Sequence, residues 1–84
     1  MNQVISNKEL WNLPNEQIAK MTKGRRVRIV LKNGDIKEVD VNTILAAANP
    51  PNLFSGFLTM DNQEISLPTI DYVVILVNDV NVNP

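Results

Sequence analysis

The stretch RRVRIVLKNGDIKEVDV (residues 25–41) carries the clearest strand pattern in the chain, and it is also the most basic. Apolar side chains occupy every second position from Val27 to Leu31, which is typical of a strand with one buried face. Asn33-Gly34 follows, and this dipeptide is the strongest short-range signal for a hairpin turn. The stretch therefore predicts two antiparallel strands. It also raises the question of whether its arginines bind a nucleic acid or stabilise the hairpin.

The length of the turn decides between these roles of the arginines. A two-residue loop would place Arg28 opposite Val39. A three-residue loop would place Arg28 opposite Glu38 and Arg26 opposite Asp40, and opposite charges across a sheet stabilise it. Because a slip of one residue turns every side chain to the other face, the register is strongly specified. We predict the three-residue loop, in which the arginines are structural.

The composition excludes several classes of chemistry. The chain contains neither cysteine nor histidine. Disulfides, Cys/His zinc sites and histidine-based acid–base catalysis are therefore ruled out. Its glycines, Gly24, Gly34 and Gly56, each lie in a separate turn, so no glycine-rich phosphate loop is present. We predict that the protein is not an enzyme and binds no cofactor or metal.

Charge and hydropathy limit the partners and the location. The net charge is −1, whereas nucleic-acid-binding modules usually show a basic excess. The longest apolar run, YVVILV at residues 72–77, is far shorter than the about 20 residues that span a bilayer. The first residues, MNQVISNK, lack the features of a signal peptide. We expect a soluble, cytoplasmic protein that makes no membrane contact and binds nucleic acid weakly at most.

Residues 1–24 predict a helical cap. Ser6 and Glu9 have the spacing of a capping box at the start of a helix. Pro14 ends that helix and suits the first position of a second one. Gly24 is a natural residue to end the second helix, because it tolerates the left-handed conformation.

Residues 42–54, NTILAAANPPNLF, predict an insertion loop in the β-domain. Asn42 or Thr43 could cap a single helical turn through Ala48, and the two prolines would form an extended elbow. The loop is too apolar to lie free in solvent. We expect that it either folds back on the core or contacts a partner.

The second half of the chain returns to strand patterns. Strands are predicted at residues 57–60 and 64–67, around a tight turn, with Gly56 marking a bend or bulge. The apolar residues expected on one face of this pair are Leu58, Met60, Ile65 and Leu67. Residues 68–71 suit one 3₁₀ turn. Residues 72–77 predict a fifth strand that is apolar on both faces. Residues 79–84 are expected to fray.

This order of elements resembles the small SH3-like barrels. The residues that carry the resemblance are VRIVLKNG (residues 27–34) and NQEISLPTIDYVVIL (residues 62–76). Among these barrels it is similar to the Sm-like group, which includes the bacterial host-factor RNA chaperone. The resemblance implies a mainly β fold with a short N-terminal helix, a five-stranded small barrel over residues 25–78, and a tendency to form rings. It carries over no RNA site, since Leu-Pro-Thr at residues 67–69 replaces the Tyr-Lys-His of the chaperone.

These observations favour a non-catalytic interaction module that self-associates. Small domains without disulfides or metals often gain stability from oligomerisation, and no lysine or arginine protects the edge of the last strand. Such a module could be a phage or mobile-element inhibitor of a host protein, or a homo-oligomer that traps a small ligand. The alternative is an Sm-like RNA-binding protein. The expected interface residues are Ile44, Leu45, Leu53, Phe54, Tyr72, Val73, Ile75 and Val77.

Overall fold

The computed structural model describes residues 2–46 and 54–76. These residues form six strands, two α-helices and one 3₁₀ turn: β1 (Gln3–Ser6), α1 (Asn7–Asn12), α2 (Asn15–Thr22), β2 (Arg26–Leu31), β3 (Ile36–Ala46), β4 (Phe54–Thr59), β5 (Glu64–Ser66), the 3₁₀ turn (Leu67–Thr69) and β6 (Ile70–Ile75). The strands make one antiparallel sheet in the order β1-β6-β2-β3-β4-β5. The prediction of a mainly β fold with a helical N-terminal segment is confirmed, although β1 was missed and the strands number six. The predicted tail at residues 79–84 lies outside the described residues.

The capping box at the start of α1 is confirmed. The Ser6 hydroxyl accepts the Glu9 backbone N–H at 3.2 Å, and the Glu9 carboxylate accepts the Ser6 backbone N–H at 3.0 Å. Ser6 is also the last residue of β1, so the strand passes directly into the helix. Pro14 lies at the N-cap position of α2, one residue before the first helical position that was predicted for it. Gly24 follows the helix with a φ of +74°, as predicted. No helix in the described part of the chain has the length and apolar character needed to cross a membrane.

The β2–β3 hairpin has the predicted three-residue loop. The Leu31 N–H donates to the Asp35 carbonyl at 2.8 Å, and the Gly34 N–H donates to the Leu31 carbonyl at 2.9 Å. Gly34 has a φ of +96°, the left-handed conformation that the turn requires. The ladder pairs Arg28 with Glu38, as expected from this register.

The predicted helical turn in residues 42–48 is wrong for the part that the structure describes. Residues 42–46 continue β3 and pair with β4, from Val41 opposite Thr59 to Ala46 opposite Phe54. The first half of β3 pairs with β2 and its second half with β4, so this long strand joins the two parts of the sheet. An extra residue bulges on β3 at Asn42. Local capping signals favoured a helix, but a cross-strand partner decided the conformation.

The predicted face of the β4–β5 hairpin is wrong by one residue on β4. Phe57 lies opposite Ile65 and both are buried, whereas Met60 is 57% exposed. Thr59 is buried in its place, because its hydroxyl accepts the Gln63 N–H at 2.9 Å within the turn. A threonine that is held by its own turn therefore occupies the inner position that hydrophobicity alone assigns to methionine.

The last strand, β6, is internal and not an edge. It pairs with β1 on one side and with β2 on the other. The expectation that this strand presents an unprotected edge is therefore wrong for the residues that the structure describes, because β1 already occupies that edge. The residues of β6 that face inward join a single core with both helices: the buried apolar side chains are Ile5, Leu10, Ile18, Val27, Ile29, Val41, Phe54, Phe57, Ile65, Leu67, Ile70, Val73 and Ile75.

The bend predicted at Gly56 is confirmed and is unusually tight. Ser55 is an extra residue on β4 beside it, and Gly56 has a φ of +157°. A Cβ atom at Gly56 would lie 2.3 Å from the Ile65 carbonyl oxygen, a backbone atom of the neighbouring strand. The close approach of β4 and β5 therefore requires glycine.

We expect Gly56→Ala to lower the free energy of unfolding by about 2–4 kcal/mol, because β5 must move away from the new methyl group. Gly34→Ala is the matched control, since nothing lies within 4 Å of its added Cβ. Gly34→Ala should lower the free energy of unfolding by only about 1–2 kcal/mol, because alanine must adopt the left-handed conformation at this position. Urea unfolding of both variants measures the difference. A Gly56→Ala protein as stable as Gly34→Ala would contradict the close contact.

Candidate interaction surface

An apolar patch covers part of the outer face of the sheet. Tyr72 of β6 lies opposite Val30 of β2, which in turn lies opposite Ile36 of β3. In a neighbouring outward-facing row, Val4 of β1 lies opposite Val74 of β6. We call these five residues the outer apolar patch. Ile36 is 63% exposed, Val4 56% and Tyr72 37%, so the patch is open to solvent.

The alternation of the strands explains why this patch exists. Side chains along a strand point alternately to the two faces of the sheet. Ile29, Val73 and Ile5 are buried on the inner face, and the residues next to them in sequence must point outward. On a sheet with one solvated face these outward positions are usually polar. In this protein, four adjacent strands carry apolar side chains at these outward-facing positions.

Four charged side chains border the patch and pair with one another. Arg26 contacts Asp40 at 3.1 Å and Glu38 at 3.4 Å, and Arg28 contacts Glu38 at 3.5 Å. We call these residues the charged cluster. Hydrogen bonds from Arg26 to Asp40, and then to Glu38, raise the pKa of its guanidinium. Arg28 lies opposite Val74 in the ladder, so the cluster is directly beside the patch. The predicted structural role of both arginines is supported by these contacts.

The structure describes six of the predicted interface residues and separates them into three groups. Tyr72 belongs to the outer apolar patch. Three others are buried in the core of the chain itself, where they cannot reach a partner while the fold is intact: Phe54, Val73 and Ile75. Ile44 and Leu45 are partly buried on β3. Leu53 and Val77 lie outside the described residues.

Two exposed members of the patch, Val4 and Ile36, were not predicted as interface residues. The predicted hairpin register contained the signal for Ile36, because it brings Val30 and Ile36 together on the outer face. Val4 had no such signal. Its position depends on the pairing of β1 with β6, two strands at opposite ends of the described sequence.

The side chains of the outer apolar patch and the charged cluster suit binding to another molecule. No three or more acidic side chains within residues 2–46 and 54–76 lie together as a metal site would require. Ser6 is engaged in the helix cap. Apolar side chains with one phenol, beside balanced charges, suit the burial of surface against another molecule.

Comparison of the chain with known proteins gave no match among protein-family models, curated proteins or solved structures. What the protein does is therefore inferred from its own surface.

Reversing both acids of the charged cluster, with Glu38→Lys and Asp40→Lys, should lower the melting temperature, because four positive charges would then face one another. Adding Arg26→Glu and Arg28→Glu should recover part of the loss, since the swap restores opposite charges across the hairpin. Thermal unfolding of the wild type and the three combinations forms a double-mutant cycle. Asp71→Lys, an exposed acid of β6, serves as the control. Absence of coupling in the cycle would show that these ion pairs do not stabilise the hairpin.

Proposed function

We propose that the protein is a non-catalytic interaction module that self-associates through the outer apolar patch. The observation that carries the proposal is the adjacency of Tyr72, Val30 and Ile36 on three neighbouring strands, in a solvent-exposed row. Contiguous exposed apolar residues with a polar border mark interaction surfaces more often than scattered ones do. Tyrosine is also enriched among residues that contribute most to binding.

A second copy of the chain is the partner that the surface fits best. In a two-fold dimer the same patch meets itself, so the patch must not repel its own image. The charged cluster meets this condition, because its two arginines and two acids balance and already pair within one chain. The chain is also small and has no cysteine for a disulfide, which makes self-association a useful source of stability.

We assign the fold to the SH3-like small barrels within this proposal. From α2 onward the chain keeps the order on which the resemblance rests: a hairpin through the Lys-Asn-Gly turn, two further strands, a 3₁₀ turn and a last strand. One difference changes how the module associates. β1 covers the edge of β6, so copies would associate through the sheet face and not by extension of that strand.

Two biological roles suit such a module. One is the inhibition of a host protein by a phage or mobile-element product. The other is an oligomer that holds a small ligand between its subunits. Disruption of the patch should abolish either role. The mass of the purified assembly distinguishes a bare oligomer from one that contains a ligand.

We expect sedimentation equilibrium at tens of micromolar to show at least a dimer. Ile36→Lys should weaken association about tenfold or more, because it places a charge inside the interface while leaving the core intact. Ile75→Lys would be less informative, since Ile75 is buried in the core. Trp11→Lys is the matched control, because Trp11 is 50% exposed on α1 and lies outside the patch. Circular dichroism checks that each variant is folded.

Two results would contradict self-association through the patch. The first is a wild-type protein that sediments as a monomer throughout the concentration range. The second is a folded Ile36→Lys variant that associates as strongly as the wild type.

The alternative function, Sm-like RNA binding, has less support from the surface. Arg26 and Arg28 are engaged with acids in the charged cluster, and the net charge is −1. Titration of a fluorescently labelled single strand at low salt should give micromolar binding at best. That binding should weaken steeply as salt rises, because it depends on counterion release. Salt-resistant, sub-micromolar binding would instead make RNA recognition the principal function.

A further inference from the structure

We propose that a cavity beside the β2–β3 turn binds a small monoanion with an apolar body, such as an aromatic carboxylate. The cavity has a volume of about 490 Å³ and lies between this turn on one side and β5 with the 3₁₀ turn on the other. We call it the hairpin cavity. Its volume is within the range of about 300–1,000 Å³ that is usual for small-molecule sites.

Lys37 supplies the first positive charge. It continues an inner row of the sheet that runs through Ile5, Val73 and Ile29. These three side chains are fully buried, whereas Lys37 is exposed and lines the cavity. Among the described residues Lys37 forms no ion pair. A lysine at the end of this inner row brings a positive charge to the margin of the apolar interior.

Lys32 supplies the second positive charge on the same side of the cavity. Its backbone N–H donates to the Thr69 carbonyl at 2.9 Å, which ties the hairpin turn to the 3₁₀ turn. The two sides of the cavity are therefore held together by a backbone hydrogen bond. The Lys32 side chain also forms no ion pair within the part of the chain that the structure describes. This contrasts with Arg26 and Arg28, whose charges are satisfied by acids.

The remaining surface of the cavity specifies the rest of the ligand. Leu31, Ile65 and Pro68 provide apolar contacts, which suit an aromatic or branched body. Among the described residues, Glu64 is the single carboxylate that lines the cavity. Two lysines and one glutamate leave one positive charge, so a monoanion balances the site and a dianion is opposed by Glu64.

Two hydroxyl groups of residues that line the cavity differ in their capacity to hydrogen-bond a ligand. The Thr69 hydroxyl donates to the Ser66 carbonyl at 2.7 Å, so its proton is engaged and its oxygen can only accept. No hydrogen bond of the Ser66 hydroxyl is seen among the described residues, and Ser66 is one of the residues that line the cavity. It is available to donate to a carboxylate that the lysines attract.

The hairpin cavity shares no residue with the outer apolar patch. The proposal is therefore independent of self-association, and a monomeric protein could still bind the ligand. The probe that tests it is phenylacetate, which combines one carboxylate with one aromatic ring. Phenylacetamide, its neutral counterpart, and inorganic phosphate, an anion without an apolar body, are the comparison compounds.

We expect phenylacetate to shift the backbone amide resonances of Lys32, Ser66 and Thr69 in a saturable manner. Lys37→Gln should weaken binding about fivefold or more, whereas Glu64→Gln should strengthen it. Lys20→Gln, which changes an exposed lysine of α2, should leave binding unchanged. Rising salt should weaken binding, because the attraction is between charges near the surface.

Several outcomes would overturn the proposal. Equal binding of phenylacetamide would show that charge plays no part, and tighter binding of phosphate would show that the apolar contacts play none. Unchanged affinity in a folded Lys37→Gln protein would remove the lysine from the site. Absence of localised shifts up to about 10 mM phenylacetate would show that the cavity binds no such ligand, since millimolar affinity is already weak.

Discussion

The register of the β2–β3 hairpin is the constraint on which the rest of the structure depends. Side chains alternate along a strand, so a slip of one residue would exchange the core face for the solvent face. Gly34 allows the three-residue loop, and the ion pairs of Arg28 and Arg26 with acids on β3 agree with the same register. β6 is in turn aligned on β2, and β1 on β6, so the outward-facing residues of those strands continue the rows that begin in the hairpin.

The N-terminal strand solves the problem of an unprotected last strand. β6 is apolar on both faces and would expose a continuous edge if it ended the sheet, which is a hazard for aggregation. β1 covers that edge with only four residues. The capping box at Ser6 then turns the chain into α1, and the Ser6 N–H is used by Glu9 instead of remaining open at the new edge. Ser6 is therefore both the last residue of a strand that pairs with a distant part of the chain and the N-cap of a helix.

The sequence was sufficient where local signals decide the structure. Residues within a few positions of one another determine four features: the capping box, the Gly24 terminus of α2, the hairpin register and the bend at Gly56.

The sequence was insufficient where a distant strand determines the structure. Residues 42–46 have a plausible helix cap, but hydrogen bonds to β4 hold them extended. The four residues of β1 carry too short a pattern to identify a strand, and their partner is about 70 positions away. The outer apolar patch was therefore only partly predictable, because Val4 enters it through that pairing.

The basic side chains of the hairpin divide into two classes, and the division bears on function. The arginines of β2 lie opposite acids, so their charge is cancelled within the chain and contributes little to long-range attraction of a polyanion. The lysines near the turn have no such partners among the described residues, and they border a concave surface with apolar contacts. Charge is thus neutralised beside the outer apolar patch, and left available at the hairpin cavity. A neutral, apolar face suits a protein surface of the same kind, whereas a concave site with one net positive charge suits a small anion. The two surfaces use opposite faces of the same hairpin, as the neighbouring residues Ile36 and Lys37 illustrate.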